Sequence, residues 1–264
     1  MKEHEVTRES SAIENRRQGY WQEQTEAAHR LQDQGIARVV SELVPYTRRE
    51  FFRRANGVLG CMDEGCEGCG FRLAGSGMLI APEDQPAFLD KCRKMGVQKI
   101  THHDGCGAAV VSKERTKSDK PAPQLAQEFS DGVAENLGAE KGHISAVEMS
   151  RPYEFHITRF AYYDGTSDGL NLKAADGKLP NGFVLTRQLY PNAKYAIAEA
   201  QLAFEIATGH HGFGHKITEE EPFVIVVVAD PKNFEMSLDN LMSELEPLSL
   251  NRKIKIYGLE APVE

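Results

Sequence analysis

The spacing of apolar and polar residues divides the chain into a helical front and an α/β remainder. From about Glu14 to Arg54, Trp21, Ala28, Leu31, Ile36, Val39, Val40 and Leu43 recur at roughly helical spacing, which predicts an N-terminal helical arm. Pro45 and Thr47 mark a break, after which Arg48 to Arg54 predicts a short basic helix. Such an arm is expected to pack on a neighbouring surface or subunit rather than to carry chemistry. Gly57 to Met62 then reads as a short buried strand ending in a Gly-rich loop, Asp63 to Gly70, and Gly75 to Ile80 as a turn and a short apolar stretch. Pro82 opens a helix whose buried stripe is Phe88, Leu89, Cys92 and Met95, and which stops at Gly96. Val97 to Thr101 is the next strand and runs into His102-His103-Asp104-Gly105-Cys106-Gly107. This strand–loop–helix–strand order is that of a parallel βαβ layer.

Beyond it, Lys113 to Pro123 reads as a loop, Gln124 to Leu137 as a helix, and His143 to Met149 and Phe155 to Tyr163 as strands. Asp168 to Gly182 is polar and Gly-rich, which predicts a surface loop. A helix over Ala193 to Thr208 stops at Gly209. Phe223 to Ala229, Ser237 to Leu245 and Lys253 to Tyr257 form a second strand–helix–strand unit, with no residue-level repeat of the first. The expected fold is thus α/β: a mainly parallel central sheet flanked by helices, with a helical arm (1–56), a metal-binding core (57–150) and a C-terminal α/β extension of the same domain (151–264).

Composition narrows the function. The chain has 264 residues, 41% hydrophobic and 27% charged, so a full core is available without disulfide staples. A net charge of −8 argues against a nucleic-acid partner, which calls for a basic stripe. No apolar run follows basic residues at the N-terminus, and Phe223 to Ala229 is too short to cross a bilayer, so neither a secretory signal nor a membrane partner is expected. The expected location is cytoplasmic, where cysteines are free, metal-bound or catalytic. Four of the five cysteines, Cys61, Cys66, Cys69 and Cys106, crowd around two Gly-rich turns.

Cys61 leads Cys61-Met62-Asp63 and His103 leads His103-Asp104-Gly105-Cys106, each at a strand end. Ligands bind at the carboxyl ends of parallel strands, so the two loops can converge on one ion. Two thiolates and an imidazole suit Zn²⁺ and leave a fourth position for water or for Asp63. A lone cysteine would read as a small buried hydrophobe; two such loops together read as a site.

In these motifs the chain resembles the β-carbonic anhydrases. That family carries Cys-x-Asp-x-Arg after its first core strand, then Arg-x-Ala-Gly, a helix, and His-x-x-Cys-Gly. Here stand Cys61-Met62-Asp63-Glu64-Gly65, Arg72-Leu73-Ala74-Gly75, the helix near Pro82 to Met95, and His103-Asp104-Gly105-Cys106-Gly107. The resemblance covers roughly Arg54 to Val111. It implies zinc on Cys61, His103 and Cys106, and Asp63 as the catalytic partner that orients a zinc-bound hydroxide attacking CO₂ to give bicarbonate. Together with the arm it implies a homodimer or higher homo-oligomer. The family's Arg is absent, since position 65 is Gly, and Arg72 or Lys99 is the expected stand-in. Without one, Asp63 can swing onto the metal and close the site.

Other readings of the same residues stay open: a zinc hydrolase of a CO₂ relative such as COS or CS₂, a non-catalytic closed Cys₂HisAsp site, or a [2Fe–2S] centre. The last would use Cys61, Cys66 and Cys69 with Cys92 or Cys106. Otherwise Cys66 and Cys69 are spare thiols of a flexible loop. His210-His211-Gly212-Phe213-Gly214-His215 offers His211 and His215 as accessory ligands or a proton shuttle, against the plainer reading of an exposed loop. Gly75-Ser76-Gly77 is a weak anion-binding candidate through its backbone N–H groups.

Overall fold

The computed structural model describes residues 2–43, 50–52, 57–167, 169–175 and 178–261. Among these residues, eight strands form two four-stranded, all-parallel sheets flanked by helices, so the fold is α/β. The first sheet holds β1 (Val58–Cys61), β2 (Phe71–Leu73), β3 (Lys99–His103) and β4 (Glu140–Ile144), in the order β2-β1-β3-β4. The second holds β5 (Phe160–Asp164), β6 (Phe183–Thr186), β7 (Phe223–Ala229) and β8 (Ile254–Glu260), in the order β6-β5-β7-β8. The two orders are the same. In each half the chain steps from the first strand to one side, then returns past it to the third and fourth. The repeat absent from the residues is therefore present in the topology.

The halves meet along β2 and β6. Val184 N–H donates to the Met62 carbonyl (3.0 Å) and Arg72 N–H to Thr186 Oγ1 (2.9 Å). Helices α1 (Lys2–Gln34) and α2 (Ile36–Ser41) form the arm. They pack on this chain's own second sheet: Ala28, Leu31, Val39 and Val40 lie against Tyr162, Val224, Val226 and Val228. Alternate β7 residues, Phe223, Ile225, Val227 and Ala229, face the main core, so β7 is buried on both faces, as its unbroken apolar run requires. The expected basic helix from Arg48 to Arg54 falls largely outside the described residues.

Helices α3 (Gln85–Lys94), α4 (Gly107–Thr116), α5 (Ala122–Leu137), α6 (Ala193–Thr208) and α7 (Leu238–Leu245) complete the fold. Several expectations are corrected. Lys113 to Thr116 is the last turn of α4, not loop, because charged residues on a helix facing solvent leave no apolar signal. The strand expected over His143 to Met149 is β4, which ends at Ile144; the Ser145 N–H and hydroxyl bind Glu148 and turn the chain. The strand expected from Phe155 begins only at Phe160. The polar segment after Asp168 is not simply surface, since Leu170, Leu172 and Leu179 are buried in the second core. Strands β2 and β6, three and four residues long, carry too few residues to show a period.

Candidate metal centre

β1 lies between β2 and β3, so the chain leaves it in opposite directions, which places the topological switch point of the sheet at the carboxyl ends of β1 and β3. Cys61 is the last residue of β1 and His103 the last of β3, while Cys106 precedes α4. The three are buried, and their ligand atoms lie within 4.8 Å of one another. The Cys61 and Cys106 sulfurs are 4.0 Å apart. Two thiolates on one tetrahedral zinc, at about 2.3 Å each, stand about 3.8 Å from one another. The His103 ring donates through Nδ1–H to the Asp104 carbonyl (2.8 Å), which leaves Nε2 as the atom that would meet an ion; Nε2 is buried with no hydrogen-bond partner among the described residues. A buried unpartnered imidazole nitrogen facing two sulfurs fits a metal ion. Cys61, His103 and Cys106 thus form a group that could hold one.

Without an ion, the triad distributes charge and protons among its own groups. A hydrogen bond from Cys106 is the main cause holding the Cys61 thiol well below its ordinary pKa, and it pushes Cys106 well above. Burial works against a charged His103, but the Cys61 thiolate outweighs it and raises His103 to about 9. Gly75 N–H also donates to the Cys61 sulfur (3.3 Å). The Gly75 N–H of the Gly75-Ser76-Gly77 turn is therefore directed at a sulfur within the chain.

Asp63 lies beside the triad, and Arg151 is its partner. Arg151 Nε donates to Asp63 Oδ1 and an Arg151 terminal nitrogen to Oδ2, both at 2.8 Å, with side-chain exposures of 3% and 5%. Gly65 N–H adds a third bond, to Oδ1 (2.9 Å). Burial alone would raise the Asp63 pKa; the Arg151 bond, helped by the charge of His156, holds it far below the usual carboxylate range. The expected stand-ins are corrected. Arg72 is buried but turns to the Cys69 and Asp63 carbonyls (3.4 Å each), and Lys99 lies at the start of β3, away from the strand end. Gly65 explains the exchange. A Cβ there would meet Met149 Cε at 2.6 Å and Arg151 Cγ at 3.0 Å, so any side chain at 65 competes with the stem of Arg151.

A second acidic group, Asp63, Glu64 and His156, is also close enough to hold an ion. Its atoms are already used: His156 Nδ1 lies 3.0 Å from Glu64 Oε2, and Ile157 N–H donates to Oε1 (2.9 Å). Burial opposes a charged His156, but Glu64 wins and raises its pKa. With Arg151, these residues form a buried network of two acids and two bases.

Cys66 and Cys69 are not spare thiols on a flexible loop. Both are buried, and Cys69 packs against Gly60 and Thr101, its sulfur 3.5 Å from Thr101 Oγ1. Burial raises both pKa values. Neither belongs to a group that could hold a metal among the described residues, and Cys92 is buried in α3 with its thiol pushed up to about 12 by burial. His210, His211 and His215 are exposed and also outside these groups. His211 instead braces the segment behind Glu64, its carbonyl accepting His156 N–H (2.6 Å).

In the second half, the strand-end positions of Cys61 and His103 are occupied by Asp164 and Ala229. The described residues hold one Cys₂His group, all of it in the first half. The chain matches no family model, no curated protein and no solved structure.

Proposed function

We propose that the chain is a β-carbonic-anhydrase-like zinc lyase interconverting CO₂ and bicarbonate, with zinc held by Cys61, His103 and Cys106. The observation that carries this reading is the Arg151 clamp. Both Asp63 oxygens are turned to the guanidinium, so the carboxylate is held beside the triad and not in its fourth position. A closed Cys₂HisAsp site would need the opposite arrangement.

When bound, zinc supplies a Lewis acid that brings the deprotonation of water to about pH 7. The chain supplies the rest. The Asp104 carbonyl fixes the His103 tautomer, and Gly75 N–H supports the Cys61 thiolate. Asp63, kept ionised, takes two N–H donors on Oδ1 but one on Oδ2 among the described residues, so Oδ2 retains an acceptor position for an O–H group of water or bicarbonate. Metal analysis of the purified chain followed by stopped-flow CO₂ hydration from pH 6.5 to 9 tests the reading. One zinc per chain with catalysed hydration supports it; zinc without any rate above background sinks the activity, and no metal sinks both.

A further inference from the structure

Among the described residues the second half carries no triad of its own, yet it reaches into the site of the first. Glu199 lies on α6, within the second half, and is 1% exposed. Its Oε2 accepts Ala74 N–H at 2.6 Å and the Tyr190 hydroxyl at 2.9 Å, while Oε1 is buried without a hydrogen-bond partner among the described residues. Ala74 opens the 3-10 turn Ala74–Gly77, in which Gly75 (φ 54°) and Ser76 (φ 60°) are left-handed. A left-handed serine is strained and persists only where its surroundings hold it. The surroundings here are three. Glu199 ties the N–H at the entry, Ser76 Oγ donates to the Thr101 carbonyl (2.6 Å), and the Phe88 ring closes over Gly77. What the turn presents is Gly75 N–H, one peptide unit beyond the bond to Glu199, aimed at the Cys61 sulfur.

We propose that Glu199 is a positioning residue for the metal centre: it holds the Ala74–Gly77 turn so that the Gly75 N–H donates to the Cys61 thiolate. An N–H···S bond withdraws electron density from the thiolate, which weakens its donation and leaves the metal a stronger Lewis acid. The second half thereby tunes a centre to which it gives no ligand. Burial pushes the Glu199 carboxyl up to about 8, so a neutral amide is its closest substitute. The inference rests on the metal-binding part of the reading above and not on CO₂ as substrate.

The test uses the full chain loaded with Co²⁺, whose thiolate-to-metal charge-transfer band reports sulfur donation directly. Glu199→Met keeps the volume and removes the acceptor; Glu199→Gln keeps the acceptor. The expected result is one Co²⁺ per chain in all three proteins, the band displaced to lower energy in E199M, and the band of E199Q at the wild-type position. A band in E199M identical to wild type overturns the proposal while leaving metal binding intact. If E199M does not fold, Glu199→Asp decides, because its shorter carboxyl group retracts from Ala74 while the acid itself is retained. A displaced band supports the proposal and an unmoved one overturns it. A wild-type chain that takes up no Co²⁺ at Cys61 and Cys106 overturns this inference together with the metal site.

Discussion

Replacing Arg151 by Met separates an open metal site from a closed one. The guanidinium makes two 2.8 Å bonds to Asp63 with both side chains almost wholly buried, and Nε lies 3.8 Å from Glu64. Removing one partner of such a pair strands the other charge, at a cost of about 3–5 kcal/mol. In a chain of this length that lowers the metal-free melting temperature by about 10 °C. The sign with pH follows from the depressed Asp63 pKa. In the native protein the pair's contribution is fully present above the unfolded carboxylate value near 4 and is lost as pH falls through the lower folded one. In R151M burial dominates and raises the Asp63 pKa, so the deficit is largest at neutral pH and shrinks on acidification.

Zinc offers the stranded carboxylate another partner. R151M loaded with zinc is expected to regain much of the lost stability, with Asp63 as a fourth ligand, and to lose at least about 10–100-fold in CO₂ hydration. Thermal melts with and without metal, X-ray absorption of the zinc shell and stopped-flow rates measure the three consequences. The double variant Gly65→Arg with Arg151→Ala places the guanidinium at the position found in the β-carbonic anhydrases. Gly65 is not in the left-handed region, so side chains alone oppose it: those of Met149 and Arg151 and, at 3.1 Å, Asp63 Oδ1. This variant is expected to recover activity relative to Arg151→Ala alone. Full activity in R151M, or a zinc shell free of added oxygen ligation at unchanged stability, would refute the clamp.

Four further outcomes follow from the same structure. Cys106→Ser is expected to weaken zinc retention sharply against a chelator, whereas Cys66→Ser leaves one zinc per chain; dialysis and metal analysis distinguish them. Glu199, raised to about 8 when folded, binds a proton that the unfolded chain releases near 4.5, so wild-type stability falls as pH rises between those values. Denaturant melts of E199Q across that range are expected to show a flatter pH dependence. Gly60→Ala drives a methyl into the Cys69 sulfur and 3.0 Å from Thr101 Oγ1, with an expected loss of about 1–3 kcal/mol in urea unfolding. The homodimer implied by the family resemblance is expected to sediment at twice 29.3 kDa, and a single species at 29.3 kDa would remove it.

The legible features were those written in local sequence. Ala193 to Thr208 is helical between the residues its apolar pattern and Gly209 mark, and β7 is the unbroken run Phe223 to Ala229. Cys61, His103 and Cys106 were found because each sits at or just past a strand end, where a Gly-rich turn follows. Arg151 was not legible. It lies 88 positions from Asp63, and nothing in Ser150-Arg151-Pro152 distinguishes it from any surface arginine. Its only trace is negative, a glycine at 65 whose backbone does not need one. Glu199 was hidden for a related reason: within an otherwise well-formed amphipathic helix, one acid on the buried side reads as an exception to the pattern.

Both hidden residues lie beyond β4, outside the segment that carries the recognisable motifs, and this bears on what the second half is for. Its sheet repeats the topology of the first, but Asp164 and Ala229 stand where Cys61 and His103 would be needed, so it cannot form the same centre. The connection between the halves delivers Arg151 to Asp63, and α6 delivers Glu199 to the turn behind Cys61. Thr186 of β6 meanwhile accepts the N–H of Arg72 on β2. A chain cut after β4 would keep Cys61, His103 and Cys106, the group that could hold a metal, and lose every one of these supports. Metal binding could then survive in a fragment only with Asp63 unclamped and Cys61 without its donor, the closed state that R151M is designed to reach.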